Sequence, residues 1–127
     1  MLEPFALLSN LENYDFSKAQ ITIFAAGSDI AKEWAPKAAK KTIVIDNSSF
    51  FRMQKNIPLV VSEVNPEALD KHENIIANPN CSTMQMVLAL KPLHDEYKIK
   101  RVIVSTYQAV SGAGKEAMDE LFLETIH

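Results

Sequence analysis

The residue with the most reactive side chain in this sequence is Cys81, which stands in the run Asn78-Pro79-Asn80-Cys81-Ser82-Thr83. Asparagine is a favoured helix N-cap, so Asn80 predicts a helix whose first turn carries the thiol. Unpaired N–H groups and the helix dipole favour negative charge on sulfur there, the form that attacks a carbonyl carbon. A lone cysteine is also a common small, buried, apolar residue, and spacing alone leaves both readings open. A single cysteine cannot form an intrachain disulfide, which excludes a stapled secreted scaffold. A thiol peptidase would need a histidine beside the sulfur. His94 falls on the same predicted helix ~20 Å away, at a rise of about 1.5 Å per residue. His72 and His127 fall in loop-like or terminal sequence and are read as solvated. No Cys/His or His/carboxylate cluster has metal-ligand spacing, so no metal is expected.

Three further features could hold a ligand. Arg52 follows a Ser-rich turn after a strand, where α/β folds place ligands, and a guanidinium there suits phosphate or carboxylate. Gln108 ends a predicted strand. Either residue could equally be a solvated surface side chain. Gly112-Ala113-Gly114-Lys115-Glu116-Ala117 matches the spacing G-x-G-x-x-A between a strand and a helix. The sequence ends before the position ~20 residues on where a dinucleotide fingerprint has its acidic residue, and no second strand follows, so a tight turn into a helix explains the glycines as well.

These residues need elements to position them. Ile21 to Ala25 reads as a strand, Ala26-Gly27-Ser28-Asp29 as a turn with N-cap chemistry, and Ile30 to Lys41 as a helix that Pro36 should kink or restart. Thr42 to Ile45 is a short apolar strand of the kind buried on both faces of a parallel sheet, which completes a βαβ unit. Leu59-Val60-Val61 suggests a further strand that Pro58 places at an edge or a strand start. Pro66 to Lys71 suits one or two helical turns, and Ile75-Ile76-Ala77 a brief strand. A helix from Cys81 to about Tyr97 carries apolar Met84, Met86, Val87, Leu88, Leu90 and Leu93, which predicts a well-buried element bent at Pro92. Arg101 to Tyr107 reads as the longest strand, and Lys115 to about Glu124 as a final amphipathic helix. The fold class is α/β.

Composition bounds the rest. A chain of 127 residues, 47% hydrophobic, is long enough for one domain with a core. Thirteen basic against sixteen acidic side chains give a net charge of -3, which offers no basic field for nucleic acid or an anionic membrane. Met1-Leu2-Glu3-Pro4 has an acid where a signal peptide needs basic residues, and the apolar run after it spans only Phe5 to Leu8. No apolar stretch approaches the ~20 residues a bilayer requires. A soluble, cytoplasmic chain is expected.

Taken in series, these segments resemble a family. Ile45-Asp46-Asn47-Ser48-Ser49 with Phe51-Arg52-Met53, then Val64-Asn65-Pro66-Glu67, then Asn78 to Thr83, then Ser105-Thr106-Tyr107-Gln108-Ala109-Val110-Ser111-Gly112-Ala113-Gly114, are similar in order and spacing to bacterial aspartate-semialdehyde dehydrogenase. The resemblance runs from about Tyr14 to Thr125. It implies a partial Rossmann-like parallel sheet that binds NADP over residues 1–80, followed over 81–127 by the start of an α+β catalytic and dimerisation domain. It further implies reductive dephosphorylation of aspartyl phosphate to aspartate semialdehyde, on the route to diaminopimelate, lysine, methionine and threonine.

By the same resemblance, Cys81 is the nucleophile that forms a thioester and Asn80 helps orient it. Arg52 grips phosphate and Gln108 holds the substrate. Ser111, Gly112 and Gly27 lie at the cofactor, so the Gly-rich turn is not the family's nucleotide fingerprint. The full-length family enzyme is a homodimer or homotetramer. The family's opening Gly-rich loop finds no match before Gln20, and its acid/base histidine and substrate-carboxylate arginine find none up to Thr125. The sequence therefore reads as an internal piece of a longer enzyme, lacking the first βαβ unit and weak or inactive alone. The alternative is a truncated, non-catalytic remnant that at most binds phosphate or a partner subunit.

Overall fold

A computed structural model describes residues 8–126, and the expectations about Met1 to Leu7 and His127 lie outside the described residues. The chain divides into two compact units, residues 1–96 and 97–127.

The first unit is built on three parallel strands, β1 (Ile21–Phe24), β2 (Ile43–Asp46) and β3 (Ile75–Ala77), in the order β1-β2-β3. Their β-branched residues pair in register, Ile21 with Ile43 and Ile45 with Ile76. Helix α1 (Ser28–Ala38) crosses from β1 to β2 and buries Ala31, Ala35 and Ala38 completely. Those alanines recur at helical spacing, and their small side chains bring the helix close to the sheet. Phe16, Phe24, Val44, Phe51 and Ile75 fill the core around them.

Several expectations need correction. The cap of α1 is Gly27 at φ 90°, within the expected turn, but no side chain there makes the capping hydrogen bond. That left-handed backbone favours glycine. Strand β2 is not buried on both faces: Val44 and Asp46 are buried while Ile43 and Ile45 are half-buried, because α1 covers one face of it. Leu59 makes a single bridge to Ala77 rather than a strand, with the Val60 N–H donating to the Ala77 carbonyl at 3.0 Å. Asn65 holds that edge by accepting from the Val61 N–H at 2.8 Å and donating to the Leu59 carbonyl at 3.0 Å.

Helix α2 spans Cys81–Tyr97 and runs through Pro92, but it buries no residue. Its apolar row stays half-buried or exposed because no described element lies broadly over it. In the second unit, residues 101–107 form no strand. Val102, Ile103 and Val104 are exposed, and a strand without a ladder partner leaves its backbone groups to water. A 3-10 turn (Val110–Ala113) leads through Gly114, at φ 103°, into α3 (Lys115–Thr125), which packs against that turn.

Candidate functional site

Parallel strands present all their carboxyl ends on one edge, and the first unit gathers its polar loops there. The N–H of Asn47 continues the ladder to the Phe24 carbonyl at 2.9 Å, and that of Asn78 to the Asp46 carbonyl at 2.8 Å. The buried carboxylate of Asp46 accepts from the Ser48 hydroxyl at 2.6 Å and the Ser48 N–H at 3.2 Å, which fixes the turn that follows β2. Ser28 and Ser49 meet hydroxyl to hydroxyl at 3.1 Å, so the Gly27 turn lies against the Ser48-Ser49 turn.

Arg52 is half-buried at this edge and is not a freely solvated side chain. Its Nε donates to the Asn78 carbonyl at 2.9 Å and its Nη2 to the Asn47 carbonyl at 3.1 Å. Two carbonyls on adjacent strands thus hold one side of a planar cation, while Nη1 makes no hydrogen bond among the described residues. The remaining donors of the guanidinium are held in one plane, a geometry of the kind that suits an anion.

Cys81 follows Asn78 closely, within about 11 Å of extended chain. Asn80 caps α2 as expected. Its Oδ1 accepts from the Ser82 N–H at 3.0 Å and the Ser82 hydroxyl at 2.6 Å, and its carbonyl takes the first helical bond, from Met84 at 3.0 Å. The thiol sits at the first helical position and is exposed, which overturns the alternative of a buried apolar cysteine. His72 is half-buried, not fully solvated, and its Nδ1 accepts the Asn74 N–H at 3.1 Å. His94 shares α2 with Cys81 and stands ~20 Å along it. Among the described residues no group of three or more His, Cys, Asp or Glu could hold a metal ion, and no helix is long and apolar enough to cross a membrane.

Arg52, Asn80, Cys81 and Gly27 therefore belong to the first unit, and Gln108, Ser111 and Gly112 to the second. Within the second unit the side chain of Gln108 lies over Gly112, where a Cβ would stand 2.9 Å from its Cγ and Cδ. Sequence reasoning missed Asn47 and Asn78 as site residues. The signal was present as an asparagine just after each of two strands, a position whose carbonyl falls beyond the ladder.

Parallel strands crossed by a helix, with an exposed thiol at a helix start three residues after a carbonyl that holds an oriented guanidinium, define an α/β chain with a thiol-bearing strand edge. Similarity to known proteins carries the assignment further. The chain belongs to the semialdehyde dehydrogenase family, whose NAD binding domain matches residues 6–72 and whose dimerisation domain matches residues 90–126. It is 58% identical over 119 residues to the aspartate-semialdehyde dehydrogenase of Aquifex aeolicus (strain VF5), covering 91% of this chain and 35% of that relative. The crystal structure of aspartate semialdehyde dehydrogenase II from Vibrio cholerae complexed with ASA matches at TM-score 0.82 and 53% identity, over 90% of this chain and 35% of that one. The Candida albicans enzyme, a structure with NADP, matches at TM-score 0.52 and 30% identity, over 61% of this chain and 26% of that one. The chain spans about a third of the length of the curated relatives it matches.

Proposed function

We propose that this chain supplies the thiol and the phosphate contact of an NADP-dependent aspartate-semialdehyde dehydrogenase, which acts on aspartyl phosphate in the synthesis of diaminopimelate, lysine, methionine and threonine. The observation that carries the reading is an exposed Cys81 at the first position of α2, a short stretch of chain from the carbonyl that holds Arg52. In this reading residues 1–80 are the cofactor part, and 81–127 open the catalytic and dimerising part of a cytoplasmic homodimer or homotetramer.

The chemistry follows from the charges. Arg52 holds the phosphoryl group, so the acyl carbon lies near the sulfur. The Cys81 thiolate attacks that carbon, a C–S bond forms, the C–O bond to phosphate breaks, and phosphate leaves with its electron pair. The exposed place of Cys81 in the first turn of α2 leaves the sulfur open to the acyl carbon. Asn80 keeps that turn in place, and Gln108 holds the substrate's other end. The strand edge fits a nicotinamide cofactor: Gly27 leaves open space where a Cβ would stand, and α1 begins without a side-chain cap. Gly27, Ser111 and Gly112 would hold it. When bound, the cofactor supplies the hydride that reduces the acyl group to the aldehyde.

The uncovered apolar residues of α2 and of 101–107 favour a second reading, a non-catalytic chain that binds phosphate or a partner subunit. Acylation separates the two. Incubation of the purified chain with aspartyl phosphate is expected to add one aspartyl group at Cys81 by intact mass, with release of phosphate and no adduct on Cys81→Ser. An unmodified wild-type chain would leave the second reading standing.

A further inference from the structure

We infer that Asn47 and Asn78 form a positioning pair for Arg52, setting the direction in which its guanidinium meets an anion. This rests on the proposed role of Arg52 as the phosphate contact.

The pairing of β2 with β3 ends at Asp46 opposite Ala77. Asn47 and Asn78 are the next residue on each strand, past the last ladder pair. There the side chains take over, the Asn78 Nδ2 donating to the Asn47 Oδ1 at 2.6 Å. The backbone carbonyls of these same two residues are the acceptors for Arg52 Nη2 and Nε. A guanidinium is rigid and planar, so two acceptors on one side of it determine the plane of the whole group. The Asn78 N–H still donates to the Asp46 carbonyl at 2.8 Å and the Asn47 N–H to the Phe24 carbonyl at 2.9 Å, but both acceptor carbonyls lie beyond those bonds, where the amide pair is the direct link between the two residues. If it is lost, only those backbone bonds hold the two residues, their carbonyls gain freedom to separate, and Arg52 loses part of its fixed aim while keeping its charge.

The test uses the full chain labelled with nitrogen-15, with inorganic phosphate as the probe. Hydrogen exchange at Arg52 Nε–H reports the tether, and the phosphate concentration that half-saturates the Arg52 shifts reports the aim. Asn78→Ala and Asn47→Ala are each expected to speed Nε–H exchange and weaken phosphate binding by roughly 5-fold, the usual size for one hydrogen bond. The double variant is expected to be no worse than either single one, since a pair acting as a unit is lost once. Protection of the Val44 and Ala77 amides should stay within about twofold of wild type, which separates lost aim from a loosened sheet. Should Asn78→Ala not fold, Asn47→Ala carries the same comparison from an exposed position. Unchanged exchange and phosphate binding in the single variants, or effects that add in the double, would overturn the inference. If wild type and Arg52→Gln respond alike to phosphate, the anion role of Arg52 falls, and Nε–H exchange alone then decides whether the asparagines position it.

Discussion

Arg52 and Asn74 show how much a single side chain does where a strand begins or ends. Asn74 takes the left-handed conformation, at φ 62°, just before β3. Its carbonyl accepts from Val44 at 2.8 Å, and its Nδ2 donates to the Ala39 carbonyl at the end of α1 at 3.0 Å. One residue thus sets the register of β3 and closes a helix. Replacement by alanine places a Cβ in a backbone region that costs about 1–2 kcal/mol and removes the contact with Ala39. Urea unfolding of Asn74→Ala is expected to show a loss near that size, and Asn74→Gly a smaller one. Equal stability of wild type and Asn74→Ala would show that this turn holds nothing. Nothing in the sequence marked Asn74, because its partner lies on another element. Arg52 was visible as a residue type, whereas its two carbonyl acceptors emerge only once the strands are side by side.

At the scale of elements, local chemistry was legible wherever the partner is also local. Strands β1, β2 and β3 and the starts of α2 and α3 fall where β-branched runs, Asn80 and Gly114 place them. The failures share one cause. Residues 101–107 have the composition of a strand and α2 the apolar breadth of a buried helix, but both properties are realised only against a partner surface. The register of α1 on the sheet gives a sharp test. Ala35 is fully buried in the core cluster that α1 shares with the sheet, so Ala35→Leu is expected to cost about 1–3 kcal/mol by overpacking in thermal or urea unfolding. A neutral result would show a looser interface.

The 3-10 turn Phe16–Lys18, which carries Phe16 into the core, makes a claim about pH. The Ser17 hydroxyl and then its N–H, both donating to Asp15, hold that carboxyl below the usual carboxylate range. Because the folded value lies below the unfolded one, the stabilisation is full above the unfolded value and is lost as pH falls through the folded one. Carbon-13 titration of Asp15 should show the depression, and Ser17→Ala should raise the value towards the ordinary range.

For the whole molecule, order and exposure divide along the chain. The Val44 N–H donates to the Asn74 carbonyl beside β3 and the Ala77 N–H to the Pro58 carbonyl of the bridging segment, while residues 101–107 have neither ladder nor cover. Hydrogen exchange should find the first two protected and residues 101–107 exchanging close to the rate of free peptide, and strong protection of 101–107 would mean that they pair in solution. The exposed Ile21 and Ile23 of the edge strand β1, with Ile103 and Phe122, give the isolated chain apolar surface that favours association at high concentration.

The central claim is that an oriented cation and a reactive thiol share one site. It is tested most directly by alkylating Cys81 with anionic iodoacetate and with neutral iodoacetamide and comparing the two rates. A shared site predicts that Arg52→Gln lowers the ratio of the iodoacetate rate to the iodoacetamide rate, and that inorganic phosphate lowers it in wild type but not in the variant. A ratio unmoved by either would contradict it, leaving the thiol and the guanidinium as unrelated features of the same strand edge.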